Sequence, residues 1–231
     1  METLDQKKTT KKLKPDQVNP QEAKSWQLNF EAEKEETFNL VYPRIVLQEA
    51  TYRAMTVNNE YRIRVYMGIE EDGKTVCAFA FPAFSVDGSA NNFADIPKSV
   101  YKLGENNEDW TAKLDKVKEC IARWKKWRKT LVEPGNFASK RAFMYKNAYL
   151  LTKVELNQIF NWDGEQELEL KLGVEKSVRM MLYPVDRNKA MLRGGVESEV
   201  FDFSAPCPPF CGPDNNDDDD DDDDDGSGGN P

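Results

Sequence analysis

The sequence predicts an α+β fold of mostly antiparallel β-structure: a small OB-like barrel or curved sheet with one or two inserted helices, followed by a disordered acidic C-terminal tail. Three observations carry this expectation. Residues 61–69 alternate with period two and pass through an Asp-Gly turn into a second apolar run, which reads as a β-hairpin. A single strongly amphipathic stretch, about Asp109 to Leu131, interrupts a series of short strand-like segments. Nine consecutive aspartates, Asp217, Asp218, Asp219, Asp220, Asp221, Asp222, Asp223, Asp224 and Asp225, repel one another and stay solvated. The organisation expected is a disordered basic arm over 1–24, one β-rich globular domain over 25–205, and a linker with the tail over 206–231.

Taken in order, the arm carries Lys7, Lys8, Lys11, Lys12 and Lys14 with no apolar face. Trp26, Leu28 and Phe30 alternate as in a strand, and Phe38, Leu40 and Tyr42 alternate again before Pro43. Ile45 to Leu47 is a second short apolar run. In the hairpin, Ile63, Val65, Met67 and Ile69 share one face, and Arg62, Arg64 and Tyr66 the other. Asp72-Gly73 supplies the turn, and Thr75 to Phe84 returns. Residues 85–107 read as loop.

In the helix, Trp110, Leu114, Val117, Ile121 and Trp124 fall on one face, acidic residues begin it and basic ones end it. Pro134-Gly135 stops it. Ala148 to Leu151 reads as a strand and the following stretch as a short helix with Thr152 as its cap. Glu167 to Leu172, Ser177 to Tyr183 and Val196 to Phe203 read as further strands, and the prolines and glycines from Ala205 onward as a linker.

The charge balance isolates the tail. The chain has 32 basic and 41 acidic residues, so setting aside the nine tail aspartates leaves a formally neutral body. No apolar run approaches the ~20 residues that span a bilayer, and the first residues lack a secretory signal's apolar stretch. The expected location is therefore intracellular, in the cytoplasm or in the nucleus of an infected or eukaryotic cell.

Chemistry is narrowed by what is missing. The chain has no histidine, which removes the commonest general base and every Ser-His or Cys-His arrangement. No phosphate-cradling glycine motif occurs. Cys77 and Cys120 read as small buried hydrophobes, and Cys207 and Cys211 enclose two prolines without the spacing of a zinc site. No enzyme, cofactor or metal is expected. A carboxylate-dependent enzyme needs acidic residues gathered in one cleft, which no spacing here indicates.

Three clusters mix positive charge with aromatic rings, as surfaces for unpaired nucleic acid do: charges meet phosphates and rings stack on bases. The first is Lys125, Lys126, Trp127 and Arg128 near the helix end; the second is Arg62, Arg64 and Tyr66 with Phe79 and Phe81 on the hairpin; the third is Arg141, Phe143, Tyr145 and Lys146. Each has an alternative reading as a packed face with charges turned to water, and Trp124 already lies on the helix's apolar stripe.

The basic-aromatic clusters, expected barrel and anionic tail together resemble, in architecture, the single-stranded DNA-binding proteins of phages and bacteria. That resemblance implies binding of single-stranded nucleic acid, DNA first, and an acidic tail that competes for the binding site and recruits replication partners. Such tails often end in an apolar residue, whereas this chain ends Gly-Gly-Asn-Pro. The alternative is a structural or assembly protein, either a viral or capsid-associated component or an acidic-tailed chaperone for basic partners. Both readings admit a homo-oligomer, and neither requires a membrane.

Overall fold

A computed structural model describes residues 17–37, 40–56, 62–88, 92–130, 145–151, 153–160, 167–174, 178–185, 200–201 and 204–207. Arg141, Phe143, Cys211, most of the basic arm and the aspartate tail lie outside the described residues.

The chain begins with strand β1 (Gln17–Val18) and helix α1 (Pro20–Thr37), then β2 (Ile45–Gln48) and α2 (Glu49–Met55). The hairpin follows as β3 (Arg62–Ile69) and β4 (Val76–Ser85), then short strands β5 (Phe93–Asp95), β6 (Tyr101–Leu103) and β7 (Glu108–Asp109). A 3-10 turn at Thr111–Lys113 leads into α3 (Leu114–Thr130). The remainder is β8 (Ala148–Leu151), α4 (Lys153–Phe160), β9 (Glu167–Val174), β10 (Val178–Val185), β11 (Val200–Phe201) and β12 (Ser204–Cys207).

The fold is α+β with antiparallel strand pairing, but no barrel closes among the described residues. The strands form two open sheets, one in the order β12-β8-β3-β4-β6-β7 with β5 beside β4, the other in the order β1-β11-β10-β9-β2. The reason is visible in β3 and β4. Every residue from Ile63 to Ile69 and from Val76 to Ala83 is buried, so both faces of this hairpin are covered. One face (Ile63, Val65, Met67, Ile69, Val76, Ala78, Ala80) joins the main core with Leu168, Leu170, Leu172, Met180 and Leu182 of the second sheet. The other face (Tyr66, Cys77, Phe79, Phe81) packs under Val117, Cys120 and Ile121 of α3. A sheet covered on both faces by other layers has no need to close on itself. Each such side chain contributes about 1.5–3 kcal/mol on burial.

The hairpin itself is as expected. Arg62 pairs with Ala83 and Ile69 with Val76, and Gly73 takes φ 68, the left-handed region that a glycine occupies without strain. The Asp72 carboxylate accepts hydrogen bonds from the Lys74 and Thr75 amides and from the Thr75 hydroxyl.

Several expectations change. Residues 85–107, expected as loop, carry β5 and β6, and α3 begins at Leu114 after the 3-10 turn, so Trp110 precedes the helix. Trp26, Leu28 and Phe30 lie on a helix, not a strand. Ala23, Trp26 and Phe30 recur at helical spacing and face inward, whereas Leu28 is 62% exposed. Asn19 accepts the Gln21 amide as an N-cap and Pro20 opens the helix, a start signal that the aromatic alternation obscured. Residues 17–24, assigned to a disordered arm, therefore form β1 and the first turn of α1. Ser204–Cys207, assigned in part to the linker, pairs with β8. No helix among the described residues is long and apolar enough to cross a membrane.

Candidate nucleic-acid interface

The hairpin cluster is interior. Arg64 is 1% exposed, Tyr66 and Phe79 are 0% and Phe81 is 5%. Arg64 Nη1 meets Asp95 Oδ1 at 2.9 Å and Nη2 donates to the Phe93 carbonyl at 2.8 Å. The Tyr66 hydroxyl donates to Asp95 Oδ2 at 2.6 Å, and Arg64 Nη1 reaches that hydroxyl at 3.1 Å. These groups hold β5 against the sheet. Only half-buried Arg62 of this cluster reaches the surface, so Arg64, Tyr66, Phe79 and Phe81 present no ring or charge to a base. An arginine and a tyrosine on a strand's second face look the same in sequence whether water or an aspartate from a distant strand receives them.

The helix-end cluster behaves differently. Trp124 is buried and its indole donates to the Lys146 carbonyl at 3.0 Å. Trp127 is half-buried against Trp124 (4.8 Å between ring centroids) and buried Tyr145 (5.5 Å). Arg128 Nη1 donates to the Asn147 side-chain oxygen. Segment 145–147 therefore lies against the last turns of α3, joining the first and third clusters into one surface. Lys126 and Lys129 are exposed there, and Lys125, Arg128 and Lys146 are half-buried.

The cations of this surface bear on one another. Burial pulls the Lys146 ammonium below its ordinary pKa, and the Arg128 charge lowers it further. Burial likewise lowers Arg128. Among the described residues no carboxylate forms an ion pair with Lys126, Arg128, Lys129 or Lys146. Lys126, Arg128, Lys129 and Lys146, which have no acidic partner among the described residues, form a group of cations that an anion would relieve. Lys118, overlooked in sequence, is also exposed; with Lys126 and Lys129 its spacing of eight and eleven residues gives one helical face. That row runs about 16 Å at the rise of an α-helix.

The last described residue before the tail, Cys207, lies close to this surface. In the β12–β8 register Cys207 pairs with Ala148, which directly follows Lys146 and Asn147. The chain leaves the last described strand beside the basic surface, ten residues before Asp217.

A second cation–aromatic group is at Trp110, where Lys102 Nζ and Lys113 Nζ stand 4.7 and 4.6 Å from the ring centroid. Its indole donates to Glu108 at 3.0 Å. Both lysines are engaged on the ring, and Lys102 also pairs with Glu70 at 2.6 Å. For a metal, Glu70, Cys77 and Cys120 place their ligand atoms within 4.8 Å of one another. The Lys102 ammonium on Glu70 and the Arg123 guanidinium on Cys120 already supply positive charge there. Compared with known proteins, the chain matches no family model, no curated protein and no solved structure.

Proposed function

We propose that this protein is a binding protein, not an enzyme, that holds single-stranded nucleic acid by its phosphates on the basic surface formed by the end of α3 and residues 145–147, and that the tail Asp217–Asp225 competes for that surface. The observation that supports the reading is the β12–β8 register, which sets Cys207, ten residues before Asp217, against Ala148, two residues after Lys146. Binding is electrostatic more than stacking, because Tyr66, Phe79, Phe81 and Tyr145 are buried and Trp127 is half-buried. Such binding is insensitive to base sequence and steeply salt-dependent. The same surface and tail suit recruitment of a basic protein partner to the tail when nucleic acid displaces it.

Anisotropy of a labelled dT oligomer tests this with the full-length chain and a chain ending at Asn216, each at low and physiological salt. Salt-sensitive binding that tightens without the tail is expected. No binding by either chain overturns the proposal and leaves the assembly reading, which the burial of most candidate rings favours: an acidic-tailed protein whose body packs against other subunits.

A further inference from the structure

We infer that Cys77 and Cys120 form a site of reversible thiol oxidation, at which a small hydroperoxide closes an internal disulfide between β4 and the inward face of α3. The inference stands independently of nucleic-acid binding.

Geometry brings the two sulfurs together. They lie within 4.8 Å of each other in the cluster with Glu70, which lets the Cys77 thiol donate towards a Cys120 thiolate. The approach depends on Gly68 of β3, which lies beneath both. A Cβ there would fall 2.9 Å from Cys77 Sγ and 3.1 Å from Cys120 Cβ. Arg123, one turn after Cys120, fixes its guanidinium by donating Nε–H to the Ile69 carbonyl at 2.8 Å and sets Nη2 3.2 Å from Cys120 Sγ. The Cys77 hydrogen bond, joined by the Arg123 charge, outweighs burial and brings Cys120 down to about 7, while Cys77 is pushed up. The pair thus has distinct roles: Cys120 as the attacking thiolate and Cys77 as the resolving thiol.

The chemistry balances in two steps. The Cys120 thiolate attacks one peroxide oxygen; an S–O bond forms, the O–O bond breaks, and the leaving hydroxide takes a proton from solvent to give water. Cys77 sulfur then attacks the sulfenic sulfur; the S–S bond forms, the S–O bond breaks, and hydroxide departs with the Cys77 proton as a second water. The peroxide is the oxidant and is reduced. Size selects it. Cys77 is 3% and Cys120 2% exposed, which excludes a tripeptide disulfide and leaves only an oxidant as small as hydrogen peroxide able to reach the pair through local opening of the fold. The flanking Glu70 and Arg123 side chains are 25% and 30% exposed, so the pair lies just beneath the surface.

The test uses the full chain with Cys207→Ser and Cys211→Ser, leaving only this pair. Hydrogen peroxide is expected to remove two hydrogens from the intact mass, peptide mapping to link the segments of Cys77 and Cys120, and dithiothreitol to reverse the change. Glutathione disulfide is expected to leave the folded protein unreacted. In the Cys77→Ser background, Cys120 should accumulate as sulfenic acid, captured by dimedone on denaturation. Oxygen addition without a cross-link, or reaction only after unfolding in urea, overturns the inference. Retention of a zinc ion in native mass spectrometry, absent from Cys120→Ser, overturns it too by assigning Glu70, Cys77 and Cys120 to a metal.

Discussion

Asp95 shows how one residue decides what a surface can do. It receives both Arg64 and Tyr66, and with Arg64's side chain 2% exposed the guanidinium has no water to fall back on. Asp95→Asn removes the countercharge and leaves a buried cation, which costs about 3–5 kcal/mol for pairs of this kind. Urea unfolding should show that loss; a change below about 1 kcal/mol would mean water reaches Arg64 in solution. None of this was legible from the alternation of Arg62, Arg64 and Tyr66, because the partner arrives from another strand. Asp72 is the opposite case. Its turn role was legible from Asp-Gly, and its hydrogen bonds lie within the turn itself. The Thr75 hydroxyl, then the Thr75 and Lys74 amides, hold its pKa at about 2. The folded value lies below the ordinary one, so the turn's support is complete above pH 4 and is lost as pH falls towards 2. An NMR titration of the Asp72 carboxyl should have its midpoint near that value; an ordinary aspartate midpoint would refute the turn's hydrogen bonding.

At the scale of elements, legibility followed the range of the signals. α3 was readable because Val117, Ile121 and Trp124 recur at helical spacing and all are buried. α1 was not, because Trp26, Leu28 and Phe30 fit a strand's period while Trp26 and Phe30 alone also fit a helix's, and the burial of Ala23 and exposure of Leu28 separate the two. On α3 itself, side-chain roles divide in a way that mutations can resolve. Trp127 packs on Trp124 and Tyr145, so Trp127→Ala is expected to destabilise the fold by about 1–3 kcal/mol while leaving oligonucleotide affinity within twofold. Lys126→Gln with Lys129→Gln should do the reverse. These lysines are exposed, so stability holds, but each phosphate no longer neutralised takes about 0.7 from the slope of log affinity against log salt. The pair should flatten the slope by about 1.4. If Trp127→Ala weakens binding of the folded protein by about 1–3 kcal/mol instead, a base stacks there and the phosphate-only account is wrong.

For the whole molecule, the coupling lies in how distant strands meet. The sequence pattern located most strands but not their partners: that β12 would lie against β8, and β1 against β11, depends on packing between segments far apart in the chain. On the proposed function, the first pairing sets where the acidic tail is tethered. From Cys207 to Asp217 is ten residues, a reach of at most about 36 Å fully extended, enough to cover the α3 surface. A flexible tether of that length holds its end at an effective concentration on the order of millimolar. The proposed competition would then depend on tether length and not only on tail charge. Lengthening the tether about fivefold with Gly-Ser residues after Cys211 lowers the effective concentration about tenfold by the −3/2 power relation. Affinity for a dT oligomer at low salt should rise with that insertion and approach that of the chain ending at Asn216, although all nine aspartates remain. At high salt the three chains should converge, since exposed charges are screened. If the long-tether chain binds as weakly as the native one while the truncated chain binds tightly, the aspartates act through net charge alone, and the tether point at Cys207 has no part in regulation.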